Sequence, residues 1–384
     1  MERFFATCPR GLELLLADEL RQLDAAKVHA VGGGVQFAGD FFLCYRVNLE
    51  SRIASRVLWQ VASGAYRSED DIYAIVHAPP WIDWFDPARS IRVDVSATRS
   101  PLTSLNFVTL KIKDAVCDKF RRLRGRRPSV DTREPDIPIQ GHLTDRDFAL
   151  YLDTTGEPLF KRGRRMATGE APLRENLAAG ILRLSGWVPG IPFLDPMCGS
   201  GTILLEAAFI ALDIAPGLDR HFAFEKLKNF DAQRWRELLR SSAARQKPRA
   251  PLALHGSDLS GEALKAARAN IAAAGLEQIV SLKQANVLEI AAPASEGIIV
   301  TNPPYGVRLG EQQALAEFYP KLGDRLKRHF CGWRAYLLSA DMRLPKLIRL
   351  AASRRMPLFN GALECRLFEY KMVEGGMRKK KAEG

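Results

Sequence analysis

The chain is poor in the residues that build metal sites and covalent staples. Its six cysteines, at positions 8, 44, 117, 198, 331 and 365, include no CxxC pair. That pattern argues against a zinc knuckle or a disulfide framework and for a reducing compartment. Six histidines without an HxxxH or His/Cys cluster make a metal unexpected. No apolar run approaches membrane-spanning length, so no membrane partner is expected. Met1 to Leu20 mixes Arg3, Arg10, Glu13, Asp18 and Glu19 into its apolar residues, unlike a signal peptide; a cytoplasmic protein is the expectation. No solenoid-type repeat is visible. What is present is ordinary: 384 residues, 47% hydrophobic and 26% charged, enough for two or three domains with sizeable cores.

Acidic residues are the other shortage. The formal net charge is +12 and unevenly spread. Residues 1–170 hold 25 Lys/Arg against 23 Asp/Glu, whereas 171–384 hold 31 against 21. Basic surface draws phosphate backbones regardless of sequence. Within the nearly neutral first part, Lys111 to Arg127 carries eight basic residues and two acids. Ile112, Ala115, Val116, Cys117 and Phe120 give this segment an apolar helical face, which leaves its cations on the outer face and in the following loop. A solvated helix surface is the usual meaning of a charge run. Five arginines between Arg121 and Arg127 favour RNA contact here, through Lys111, Lys113, Arg121, Arg122, Arg124, Arg126 and Arg127. Lys161, Arg162, Arg164 and Arg165 either extend that contact or make interdomain salt bridges; Lys161 and Arg164 are taken as RNA contacts. The Arg378 to Lys381 tail reads as a non-specific contributor, and the Trp81 to Phe85 cluster as packing.

The chemistry lies in three strand ends. Thr301-Asn302-Pro303-Pro304-Tyr305 follows the apolar run Gly297 to Val300, which reads as a buried strand. The two prolines end that strand and leave carbonyls that cannot pair with a neighbour. The Asn302 amide oxygen and the Pro303 carbonyl can accept from a planar exocyclic NH2, while Tyr305 covers the ring that carries it. A proline-rich turn closing a strand is the plainer alternative. Upstream, Ile191 to Leu194 leads into Asp195-Pro196-Met197-Cys198-Gly199-Ser200-Gly201-Thr202 and the apolar run Ile203 to Ala208: strand, glycine turn, helix. Gly199 and Gly201 let a ligand approach a helix N-terminus, which favours a carboxylate. The lysine of a phosphate loop is missing, and Leu204 stands where a dinucleotide loop needs its third glycine. Asp195 suits an ammonium group beside that carboxylate, as in the methionine part of S-adenosylmethionine. Asp258 ends a third strand, Leu252 to Ser257, where an acid can accept from ribose hydroxyls or cap the next helix. In series with the glycine loop, ribose is favoured. Asn286, after the strand Val280 to Gln284, is placed to meet an adenine edge.

These segments, with Leu159 to Arg165 and Ala171 to Ala178, resemble the class I methyltransferases that modify exocyclic amines. In particular they resemble the bacterial 23S rRNA guanine-N2-methyltransferases that carry a THUMP domain, over essentially the whole chain. The resemblance implies an α/β fold: a Rossmann-like methyltransferase domain with a mostly parallel seven-stranded sheet, preceded by an α+β ferredoxin-like and THUMP RNA-binding region. It implies S-adenosyl-L-methionine as cofactor, held by Asp195, Pro196, Cys198, Gly199, Gly201, Thr202, Asp258, Leu259, Asn286, Val287 and Asn302. Methyl transfer to the N2 amine of a guanine would then fall to Asn302, Pro303, Pro304 and Tyr305. Cys198, inside the cofactor loop, is assigned to packing and not to nucleophilic attack. Asn286 departs from the aspartate usual in such enzymes and would accept without charge. The implied partner is RNA, as 23S rRNA or its precursor particle, with a separate methyltransferase as a candidate source of the activity fused onto longer relatives.

The expected layout is a ferredoxin-like unit over 1–65, a THUMP domain over 66–155, a linker over 156–170 and the methyltransferase domain over 171–384, with 209–250 as an insertion. Two other readings fit parts of the chain. An NPPY-type enzyme acting on adenine N6 or protein glutamine would not need the basic helix. An RNA-binding assembly factor with an idle pocket would not need Asn302.

Overall fold

The computed structural model describes residues 1–162, 173–304 and 309–373. They divide into two compact units: the first takes 1–8, 13–162 and 215–244, the second the rest of the chain.

The first unit runs β1 (Glu2–Thr7), α1 (Glu13–Gln22), β2 (Ala26–Val31), β3 (Gly34–Gly39), α2 (Phe42–Glu50), β4 (Arg56–Ala65), α3 (Glu69–His77), α4 (Trp81–Trp84), β5 (Ile91–Ala97), α5 (Leu105–Arg124), β6 (Ile137–Leu143) and β7 (Asp147–Asp153). All seven strands form one sheet, ordered β2-β3-β1-β4-β7-β6-β5. Strand β4 makes it continuous, pairing antiparallel with β1 on one side and β7 on the other. The basic segment is helical as its periodicity predicts. Ser104 accepts from the Phe107 N–H at the start of α5, and Gly125, at φ 66°, closes its end, the usual chemistry of both caps. Its apolar stripe Ile112, Ala115, Val116 and Phe120 is fully buried. Helix α5 connects the parallel strands β5 and β6. Phe85 meets Phe120 with ring centroids 4.9 Å apart, and Trp81 is buried, so the Trp81 to Phe85 cluster belongs to the core. The expected linker starts late: Arg162 is 4% exposed and donates to the carbonyls of Leu159 and Arg52, both at 2.9 Å. Its guanidinium is therefore a structural tie. Residues 163–172, with Arg164 and Arg165, lie outside the described residues.

The second unit contains α6 (Glu175–Ser185), β8 (Phe193–Asp195) and α7 (Thr202–Ala211). Within the expected insertion, Ala215–Ala244 belongs to the first unit. There a 3-10 turn (Ala223–Lys226) and α8 (Ala232–Ala244) are held by Tyr45, whose ring stacks on Phe224 at 4.4 Å. The second unit resumes with β9 (Leu254–Asp258), α9 (Gly261–Ala273), β10 (Val280–Gln284), β11 (Gly297–Thr301), α10 (Leu309–His329), β12 (Trp333–Ser339), α11 (Leu344–Leu347), β13 (Arg354–Asn360) and β14 (Leu363–Lys371). Its seven strands are ordered β10-β9-β8-β11-β12-β14-β13. The first five are parallel, β14 runs antiparallel to β12, and β13 pairs antiparallel with β14. Every residue of β11 is buried, as a central strand covered on both faces requires.

Candidate active site

The sheet order of the second unit reverses between β8 and β11, and in open α/β sheets ligands bind outside the carboxyl ends at that point. The sequence motifs all gather there. Register pairs Asp195 with Gly256, Gln284 with Asp258, and Leu194 with Ile299. Asp195, Asp258 and Asn302 therefore leave neighbouring strands on one edge of the sheet, and Asn286 follows two residues past β10.

The loop from β8 to α7 is fastened at several points. Gly199 (φ 53°) and Gly201 (φ 82°) both lie in the left-handed region, which favours glycine. A side chain at Gly199 would point into open space, so the loop leaves room above it for a ligand. The Gly199 N–H donates to Asp258 Oδ2 at 2.9 Å, and the Cys198 N–H to the Ser257 carbonyl at 2.9 Å. Asn270 of α9 donates to the Ser200 carbonyl at 3.0 Å. Asp258 thus bridges the two cofactor-type elements. Its other oxygen accepts from the Ser260 N–H at 2.9 Å, while Ser260, not Asp258, caps α9. Beside it Leu259 is 69% exposed, an apolar side chain held in solvent next to a carboxylate.

Asp195 is 1% exposed, and burial pushes its carboxyl up to about 7, with the like charge of Asp258 adding to the rise. The Met197 N–H, which donates to Asp195 Oδ1 at 3.3 Å, pulls it back down. A buried carboxylate whose charged neighbour is another carboxylate is chemically suited to an ammonium group. With a helix N-terminus for a carboxylate beside it, the site matches an α-amino acid moiety. Cys198 is buried and its thiol is raised by burial, which is the behaviour of a packing residue. Thr202 is buried in the first turn of α7. Asn286 is braced locally: its Oδ1 accepts from the Leu288 N–H at 3.0 Å and its amide donates to Glu289 at 3.1 Å, which leaves one lone pair and one N–H of the side chain for other partners. Val287 is buried in the core beside Leu194 and Ile299, so its side chain offers a ligand nothing.

At the end of β11, Asn302 is half-buried, Pro303 buried and Pro304 exposed. Tyr305 lies outside the described residues. The buried Tyr319 of α10 donates its hydroxyl to the Pro304 carbonyl at 2.9 Å, and burial raises that phenol, so it stays a donor. Tyr319 had no sequence signal separating it from a core residue. Asn270 had one: it interrupts the apolar stripe of Leu264, Ala267 and Ile271 on α9.

In the first unit, Lys111 lies 2.7 Å from Asp70, Lys113 2.8 Å from Asp114 and Arg121 3.1 Å from Asp118. Arg122, Arg124, Arg126 and Arg127 are exposed and have no ion-pair partner among the described residues. Lys111 also lies over the Phe107 ring at 5.6 Å, and Phe107 is 47% exposed. This aromatic belongs to the outer face of α5. Lys161 is exposed and pairs with Glu157 at 3.1 Å.

A parallel sheet with a glycine loop after one strand, an acid after the next and Asn-Pro-Pro after the strand on the other side defines a class I methyltransferase. The family comparison is more specific. Residues 162–369 match the RMKL-like methyltransferase domain, 3–58 the RlmL ferredoxin-like domain and 66–153 the THUMP domain. The chain belongs to this THUMP-containing, RlmL-like methyltransferase family. It is 41% identical over 393 residues to ribosomal RNA large subunit methyltransferase K/L of Aeromonas salmonicida, covering 97% of this chain and 54% of that protein. It is 39% identical to slr0064 of Synechocystis sp., provisionally named an RNA methyltransferase, with 96% of each chain covered. The chain spans about half the length of the K/L relatives it matches. SMU.472, provisionally a methyltransferase and crystallised with SAH, is 29% identical with a TM-score of 0.88, over 97% of this chain and 99% of its own.

Proposed function

We propose that the protein transfers a methyl group from S-adenosylmethionine to the exocyclic N2 amine of a guanine in large-subunit rRNA. One observation carries this reading: Asp195 ends β8 and Asn302 follows β11, its parallel neighbour, at the same end of the sheet. That adjacency supports an ammonium-binding acid and a turn of amine acceptors working side by side.

Asp195 would hold the ammonium, the α7 N-terminus the carboxylate, Asp258 the ribose and Leu259 a face of the adenine. Bound S-adenosylmethionine supplies a methyl carbon activated by its sulfonium. An aryl amine is a weak nucleophile because its lone pair is delocalised into the ring. Asn302 Oδ1 and the Pro303 carbonyl accept its two N–H groups and let the nitrogen pyramidalise. Tyr305 stacks on the base, a contact worth about 1–3 kcal/mol. Alignment is the main remaining task and can supply about 7–11 kcal/mol. The proton becomes acidic once the nitrogen is alkylated, so it leaves to water without a dedicated base. A guanine paired in a helix must first be extruded, at a few kcal/mol; α5 would hold the RNA meanwhile. The names of the K/L relatives and the THUMP match support rRNA over DNA or protein, and a cytoplasmic location follows from that substrate.

The test is calorimetric titration with S-adenosylhomocysteine, coupled to tritium transfer from S-adenosylmethionine onto unmodified rRNA. Wild type should bind and transfer, Asp195→Ala should lose both, and Asn302→Ala should bind but not transfer. Transfer by Asn302→Ala at the wild-type rate would refute the proposal.

A further inference from the structure

The first unit contains a concavity that the methyltransferase reading leaves unused. It encloses about 620 Å³, within the range of small-ligand pockets, about 300–1,000 Å³. Its walls come from five separated stretches: β4, β5, the segment leading into β6, the chain after β7, and the turn Ala223–Lys226 with His221. That last wall belongs to the stretch lying between α7 and β9 in sequence, so the THUMP segment does not build the pocket alone. Five cations line it, Arg56, Arg92, Arg133, Lys161 and Lys226, against the carboxylates of Glu134 and Glu157. Arg56 is tied to the buried Asp153 and to the Gly156 carbonyl, Arg92 to Asp94 at 2.8 Å and Lys226 to Asp136 at 2.9 Å. Arg133 is exposed and has no ion-pair partner among the described residues. Next to His221, Arg220 donates to the carbonyls of Pro158 and Glu157; burial lowers its guanidinium to about 10, with the Glu157 carboxylate opposing the shift.

Pro135, Pro138 and Pro158 supply flat apolar wall, and the His221 side chain is 98% exposed. A concave, cation-rich space with flat walls differs from the arginine run on the outer face of α5. A ridge of cations can follow a duplex backbone; a pocket this size admits one unpaired residue with its phosphate.

We infer that this cavity binds a single unpaired nucleotide of the RNA substrate, its phosphate taken by Arg133 with Arg92 and Lys226, its base laid against the proline and His221 wall. The inference rests on the proposed RNA substrate and adds a second, separate RNA contact. The test is fluorescence anisotropy on the full chain with a single-stranded oligoribonucleotide and a blunt RNA duplex of equal charge, over a range of salt. Arg133→Glu should weaken the single strand about tenfold and flatten its salt slope by at least about 0.7, while duplex affinity changes less than about twofold. Lys226→Gln, a milder change, should weaken the same probe in the same direction. An unchanged far-ultraviolet circular dichroism spectrum and melting profile report that each variant is folded. If wild type binds RNA and neither substitution affects it, or if strand and duplex weaken equally, the cavity assignment is wrong and the RNA reading stands. If wild type binds neither RNA, both fall.

Discussion

At the scale of single residues, Asp195 makes the sharpest claim, because its burial is unfavourable until a cation arrives. Its folded carboxyl lies near 7 against 3.8 in the open chain. Between about pH 4 and 7 the folded protein therefore keeps a proton that the unfolded chain has released. Ligand-free stability should fall as pH rises through that window and level off above it. Affinity for S-adenosylhomocysteine should move the opposite way, rising between pH 6 and 8 as Asp195 ionises; calorimetry at three pH values checks this. Asp195→Asn removes the buried charge. It should raise the ligand-free melting temperature at pH 8, by about 2–4 °C for a gain of 1 kcal/mol, and weaken cofactor binding about tenfold or more. A variant that melts lower and binds normally would show that the carboxylate is structural. Asp195 and Asp258 were both legible in the sequence because each ends an apolar run before a helix. The local bracing of Asn286 was not, since its turn partners Leu288 and Glu289 carry no distinctive spacing.

At the scale of elements, the turn proposed to accept the amine is held from outside. Tyr319 on α10 fixes the Pro304 carbonyl at 2.9 Å, and a misplacement of about 1 Å can cost about a hundredfold in rate. Tyr319→Phe removes one hydrogen bond, worth about 1 kcal/mol of stability. It should lower kcat several-fold or more while leaving KM for S-adenosylmethionine unchanged. An unaltered kcat with a lower melting point would reduce Tyr319 to packing. On α5, replacing Arg124 and Arg126 together by Glu should weaken duplex RNA binding and flatten its salt slope by about 2; an unchanged slope would mean that this face is merely solvated. The central strand β11 was readable because a buried parallel strand is a near-continuous apolar run. Strand β13 was missed: Arg354, Arg355 and Pro357 hide it. As the last strand of the sheet it tolerates a proline and solvated charge.

At the scale of the whole chain, the sequence motifs mark out the second unit well and the first only partly. Nothing local in the sequence shows that β4 and β7 pair and so make one sheet of the ferredoxin-like and THUMP regions. Nor does anything local show that residues 215–244 pack with the N-terminal unit. That attachment depends on Tyr45 and Phe224, which are 179 positions apart in the chain, a contact without local signature. Among the described residues no helix is long and apolar enough to cross a membrane.

The central claim is that an amide oxygen and a proline carbonyl present a guanine amine for methylation. The most direct measurement is mass-spectrometric mapping of 23S rRNA from a strain lacking this chain, complemented with wild type or with Asn302→Ala. One N2-methylguanosine should disappear on deletion, return with wild type and not return with the variant. An rRNA modification pattern identical in all three strains would contradict it.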